Sequence, residues 1–155
     1  MTDITEGQPA PAFDLAADGE GRVTLDGLKG KSVVLYFYPK ADTPGCTTEG
    51  LDFSALADQF AAANTVVIGV SRDAVKKLDR FKAKHDLKVV LGSDEDGVVT
   101  EAWGVWVQKK LYGREYMGIE RATFLIDGQG AVRRAWRNVK VKGHAEEVLA
   151  AVEAL

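Results

Sequence analysis

The sequence predicts an α/β fold with a central mixed sheet flanked by helices on both faces, and three observations carry that expectation. Ser32–Tyr38 (SVVLYFY) and Thr65–Val70 (TVVIGV) are continuous apolar runs rich in β-branched residues, the pattern of strands buried on both faces. The segment between them has helical periodicity, so strand, helix and strand form a crossover unit with parallel strands. Ala122–Ile126 and Ala131–Trp136 flank Asp127-Gly128-Gln129-Gly130, a hairpin signal that makes the sheet mixed.

The remaining elements follow in chain order. Pro9-Ala10-Pro11 begins an extended entry, because a residue before proline is pushed toward β or polyproline geometry. Weak strands follow at Phe13–Leu15 and Arg22–Leu25, on either side of the turn Asp18-Gly19-Glu20-Gly21. Pro39 stops the first buried strand. Cys46–Ala62 reads as one helix with Phe53, Leu56 and Phe60 as its inward stripe, and Asp73–His85 as another with Val75, Leu78 and Phe81 on one side. A short helix is expected over Glu95–Trp103, and a closing helix over Gly143–Leu155 with Val148, Leu149 and Val152 inward. This order matches a thioredoxin-like layout, in which the working site lies at the carboxyl ends of the strands.

A length of 155 residues fits a single domain over 1–155 with one core. With 20 Lys+Arg against 23 Asp+Glu, the net charge of −3 gives no electrostatic reason to expect nucleic acid or an anionic membrane as partner. No apolar run approaches a membrane span, and Met1–Gln8 is polar and acidic where a secretory signal would be basic, so cytoplasm is the default location. The single cysteine excludes an internal disulfide, a CxxC redox pair and a multi-thiolate metal site, and no metal or organic cofactor is expected.

Chemistry concentrates in Pro39-Lys40-Ala41-Asp42-Thr43-Pro44-Gly45-Cys46, which joins a buried strand to a helix and ends on that cysteine. A helix N-terminus offers unpaired N–H groups and about half a positive charge, both of which favour a thiolate. A free thiol of pKa about 8.5 is only ~3% ionised at pH 7, so ionisation alone gains at most ~30-fold. A fast thiol enzyme also needs donors aimed at charge developing on its substrate. Thr43 can supply a hydroxyl, and a guanidinium can hold two acceptors in a fixed fork.

The spacing Pro39-x-x-x-Thr43-x-x-Cys46 resembles the active-site motif of the peroxiredoxins, and YFYPKADTPGCTTEG is similar to their peroxiredoxin Q, or bacterioferritin comigratory protein, subgroup. The likeness continues through KKLYGREYMGIERATFLID (Lys109–Asp127) and Lys142-Gly143-His144-Ala145-Glu146-Glu147. It implies a hydroperoxide reductase with Cys46 as the nucleophile that becomes a sulfenic acid. Thr43 would then hydrogen-bond thiolate and peroxide, Arg121 would stabilise thiolate and transition state, and Pro39 would cover the sulfur. Glu49 takes a supporting role in orienting the arginine. Many members of the subgroup carry a resolving cysteine five residues after the first, where this chain has Leu51, and others carry it on the following helix, where this chain has none. Regeneration would therefore need an external thiol such as thioredoxin, glutaredoxin or glutathione. The resemblance leans toward a monomer or a weak dimer.

Two rival functions remain at this point: a thiol-based redox sensor signalling through a mixed disulfide, and a binding protein with an inert cysteine. Blander readings compete residue by residue. Thr43 could be only a turn or cap residue, and Arg121 only a solvated edge charge. His85 and His144 lack a third metal ligand and read as surface or capping residues. Ser93-Asp94-Glu95-Asp96-Gly97 fails the calcium-loop pattern and reads as a polar helix entry. Trp103, Trp106, Tyr112 and Tyr116 read as core before substrate lining. Arg133, Arg134, Arg137, Lys140 and Lys142 read as a solvated face.

Overall fold

The computed structural model describes residues 4–155; the first three positions of the polar Met1–Gln8 opening lie outside the described residues. After the extended entry come β1 (Asp14–Ala17), β2 (Gly21–Thr24), a 3₁₀ turn at Asp26–Leu28 and β3 (Ser32–Phe37). The first helical layer is α1 (Pro44–Ala55) and α2 (Ala57–Ala62), followed by β4 (Thr65–Ser71), α3 (Val75–His85), β5 (Val90–Ser93) and α4 (Val98–Ala102). A hairpin of β6 (Trp106–Leu111) and β7 (Arg114–Ile119), then β8 (Ala122–Ile126), β9 (Val132–Trp136) and α5 (His144–Glu153), complete the chain.

Seven strands form one sheet in the order β2-β1-β5-β4-β3-β8-β9. The centre, β5-β4-β3, is parallel, and the flanking pairs are antiparallel. The fold is thus thioredoxin-like, with the mixed sheet that the sequence predicts. Side-chain alternation along β3 divides the interior. Val34, Tyr36 and Tyr38 join α1, α2, α3 and α5 on one face, whereas Val33, Leu35 and Phe37 join α4, Trp103 and the entry segment on the other. Helices cover both faces, four on one and the short α4 on its opposite.

Several elements differ from the sequence reading. The predicted Cys46–Ala62 helix starts two residues earlier and breaks at Leu56, whose N–H bonds to the Phe53 carbonyl in a tighter turn. Asp73 stays outside α3 because its carboxylate accepts bonds from the Ala41 N–H and the Ser71 hydroxyl. The Asp94 carboxylate caps α4 by accepting from Val99 and Thr100, so the polar helix entry is real but the helix begins only at Val98. Strand β5 escaped notice because its apolar run is short. The β6–β7 hairpin escaped because its two-residue turn, Tyr112-Gly113 at φ 52° and 77°, carries Tyr where Asn or Asp is the usual signal.

Gly69 on β4 exists for close packing. A Cβ there would meet Tyr36 Cζ at 2.5 Å and Tyr36 Oη at 2.6 Å, and that ring is stacked on Phe53 of α1 and cannot swing away. Replacing Gly69 by Ala should cost about 1–3 kcal/mol by overpacking, a fall in Tm of roughly 2–12 °C for a domain of this size. Thermal unfolding of the variant followed by circular dichroism checks this, and an unchanged Tm would show that the ring yields freely.

Candidate active site

Strand β3 delivers the chain to the carboxyl end of the parallel strands, where Pro39–Thr43 turns into α1. Two acidic residues pin that loop to its surroundings. Asp73 holds the Ala41 N–H at 2.8 Å, and Asp42, in the left-handed region at φ 63°, meets Lys84 Nζ at 2.9 Å and His85 Nε2 at 3.0 Å. Thr43 is the N-cap residue, but its hydroxyl donates to the Lys40 carbonyl at 2.8 Å and makes no side-chain cap bond. Pro44 occupies the first helical position, where a missing N–H costs nothing. Cys46 therefore sits in the first turn, among backbone donors without intrahelical acceptors, and is 2% exposed.

Arg121 reaches this sulfur from the β7–β8 junction. Its backbone is fixed on both sides: Glu120 N–H donates to the Val105 carbonyl at 2.7 Å, and Val139 N–H to the Arg121 carbonyl at 2.9 Å. Nη2 lies 3.5 Å from Cys46 Sγ, while Nη1 donates to Glu49 Oε1 at 2.6 Å. Glu49 stands three residues beyond Cys46 on the same face of α1 and is 1% exposed. Its other oxygen, Oε2, has no hydrogen-bond partner among the described residues. Burial pushes the Glu49 carboxyl up to about 7, against the pull of the Arg121 guanidinium. Burial works against the Arg121 charge, but Glu49 and Cys46 outweigh it and hold the guanidinium more firmly protonated than usual.

Gly45 makes the approach possible, because a Cβ there would stand 3.1 Å from Arg121 Nη2. Pro39 and Arg121 also line a cavity of about 480 Å³, completed by Val107, Gln108, Lys109, Glu120, Asn138 and Val139. Of the residues expected from sequence, the structure brings Cys46, Arg121 and Glu49 into direct contact and sets Pro39 beside Arg121. Thr43 stands three residues before Cys46 in the chain, with its hydroxyl turned to the Lys40 carbonyl. Leu51 is 43% exposed on the same helix. No group of three or more His, Cys, Asp or Glu among the described residues could hold a metal ion.

A sequence profile described as the AhpC/TSA family matches residues 6–135. The chain belongs to that family. It is 50% identical over 146 residues to the peroxiredoxin Bcp of Bacillus subtilis, covering 94% of this chain and 93% of the relative. The PrxQ of Xylella fastidiosa superposes with a TM-score of 0.94 at 42% identity, covering 99% of this chain and 98% of that one. The bacterioferritin comigratory protein of Xanthomonas campestris, solved with trapped intermediates and ligands in work on its alkyl peroxide reduction, gives a TM-score of 0.87 at 48% identity, covering 92% and 90%. This peroxiredoxin is a thiol-dependent peroxidase of the Bcp, or peroxiredoxin Q, group.

Other readings of the peroxiredoxin's side chains divide. His85 is a half-buried partner of Asp42, packed edge-on to Phe81. His144 is buried where a surface or capping position was expected, with Gly143 at the cap and Nε2 2.8 Å from Thr123 Oγ1, and burial lowers its basicity. Trp103 is core, whereas Tyr112 is 95% exposed at the hairpin tip and Tyr116 is exposed too, so the core reading fails for both. Trp106 takes the Arg72 guanidinium over its ring at 3.4 Å. The basic stretch is exposed as expected, with Arg134 also stacked on Trp136. Sequence reasoning missed Gly45, the loop pins and the cavity wall supplied by β6. Only the Tyr112-Gly113 turn between two six-residue strands could have revealed that wall.

The Glu49 carboxyl gives a pH test. Raised above its unfolded value, it favours the folded state fully below about pH 4.5, and that contribution is lost as pH rises through about 7. Relative to Glu49→Gln, wild type should therefore lose about 1–3 kcal/mol of unfolding free energy between those limits and little beyond. Denaturant titrations of both proteins across pH 4.5–8 measure it; parallel curves would place an ordinary carboxylate at Glu49.

Proposed function

We propose that Cys46 reduces hydrogen peroxide and small alkyl hydroperoxides, and that an external thiol regenerates it. The observation carrying this reading is the Arg121 guanidinium shared between Cys46 Sγ at 3.5 Å and Glu49 Oε1 at 2.6 Å. A fixed positive fork beside the sulfur favours negative charge there and stands ready for charge on the peroxide oxygens.

In this mechanism the Cys46 thiolate attacks one peroxide oxygen and the O–O bond breaks. Sulfur loses two electrons and becomes a sulfenic acid, and the departing oxygen takes a proton to leave as water or alcohol. Glu49 holds Nη1 so that Nη2 keeps its aim, a positioning role. Thr43 supports the peroxide by turning its hydroxyl from the Lys40 carbonyl toward the bound oxygens. Pro39 limits water at the mouth. A first external thiol then condenses with the sulfenic acid, releasing water and leaving a mixed disulfide, and a second thiol takes its partner away as a disulfide and restores Cys46. With Cys46 the sole cysteine and Leu51 exposed on α1, no second thiol of this chain can compete for that step. Such a cycle suits a reducing compartment, the cytoplasm.

Stopped-flow oxidation of the reduced protein tests the assignment. Cys46→Ser should not react, and Arg121→Ala should slow oxidation about 100-fold or more, because the contact strengthens in the transition state. Thr43→Val should be slowed comparably. An unchanged rate in Arg121→Ala would remove that residue from the mechanism. Without added thiol, turnover should stop after one equivalent of peroxide, and excess peroxide should carry Cys46 on to sulfinic acid, visible by mass spectrometry.

A further inference from the structure

The cavity beside Arg121 contains a cation that the proposed chemistry does not use. Lys109 lies on β6, half-buried, and lines the cavity together with Pro39 and Arg121. Its neighbour Lys110 alternates to the other side of the hairpin and is exposed. Among the described residues no carboxylate stands within ion-pair distance of the Lys109 amine, and the residue paired with it across the hairpin is Tyr116. The acids nearby are already engaged. Glu120, the only carboxylate on the cavity wall among the described residues, accepts from Arg137 Nε and Nη2, both at 2.9 Å, and from the Asn138 N–H at 2.9 Å. Glu49 is taken by Arg121.

We propose that Lys109 and this cavity form a carboxylate subsite, receiving the anionic tail of one of the two reactants, a hydroperoxide or its thiol reductant, while the reacting end lies toward Cys46. The proposal rests on the peroxidase reading above. Arg121 joins the two regions, because this residue lines the cavity and its guanidinium touches the sulfur. Desolvation disfavours the Lys109 ammonium and repulsion from Arg121 acts in the same direction, together outweighing the attraction of Cys46 and Glu120. An anion placed between the two cations relieves both effects. Asn138 supplies a side-chain amide on the cavity wall, whereas the Gln108 amide donates to Glu115 at 2.7 Å on the Lys110 side of the hairpin. At about 480 Å³ the cavity is of a size that takes small organic molecules.

Acid and methyl-ester pairs test this, each rate taken relative to that of the same compound with a small-molecule reference so that intrinsic reactivity cancels. A fatty-acid hydroperoxide and its methyl ester probe the oxidation step by stopped flow, and 3-mercaptopropionate and its methyl ester probe reduction of the sulfenic acid. Hydrogen peroxide, being uncharged, is the reference oxidant within each variant. In wild type the acid should outpace its ester about tenfold in one arm, the size of a single charged hydrogen bond partly open to water. The arm showing the preference identifies which reactant brings the carboxylate. The preference should fall to about twofold or less in Lys109→Met and persist in Lys110→Met. Acid-to-ester ratios near one in both arms, or a preference unchanged in Lys109→Met, would overturn the subsite while oxidation by hydrogen peroxide persisted. Failure of hydrogen peroxide itself to oxidise Cys46 would instead sink the peroxidase reading, and the subsite with it.

Discussion

One guanidinium serves two acceptors at the heart of this fold. Arg121 spans from the start of β8 to the first turns of α1, and its two terminal nitrogens divide between the Cys46 sulfur and the Glu49 carboxylate. Removing either acceptor changes what the other feels. A charge this deep must be paired, because an isolated buried ion costs several kcal/mol. The backbone bonds at Glu120 and Arg121, the bare Cα of Gly45 and the burial of Glu49 all serve to hold that fork in place.

Much of this was legible in the chain. The two apolar runs gave the parallel core, the Asp127–Gly130 turn gave the antiparallel edge, and the proline–threonine–cysteine spacing marked the strand-to-helix junction where the site lies. Those signals are local, and local signals survive in sequence. Contacts made by residues far apart do not: Arg121 meets Cys46 across a sequence separation of 75, and Asp73 holds Ala41 across 32. Only family likeness singled out Arg121 beforehand, and nothing pointed to Lys109 or to the pins on the loop. Periodicity likewise could not reveal the interruption at Leu56, because Phe53 and Phe60 remain on one face despite it.

The hairpin of β6 and β7 links the two halves of the molecule's chemistry. It stands apart from the main sheet, yet its root packs Ile119 and Val105 into the core, and its inner strand supplies Val107, Gln108 and Lys109 to the cavity. Arg72 lies flat on Trp106 and also bonds to Thr100 and the Gly97 carbonyl, so α4 and the hairpin share one brace. The wall of the cavity is therefore set by the rigid end of the hairpin, and exposure grows toward Tyr112 at its tip.

The leucine at position 51 has a kinetic meaning under the proposed cycle. A partner thiol tethered on the same chain acts at a fixed local concentration, commonly millimolar, whatever its surroundings contain. Here the second sulfur arrives by diffusion, so the lifetime of the oxidised centre lengthens whenever the surrounding pool of thiols runs low. Throughput then becomes a gauge of reducing capacity outside the protein, and the centre rests longest in its oxidised form when that capacity is depleted.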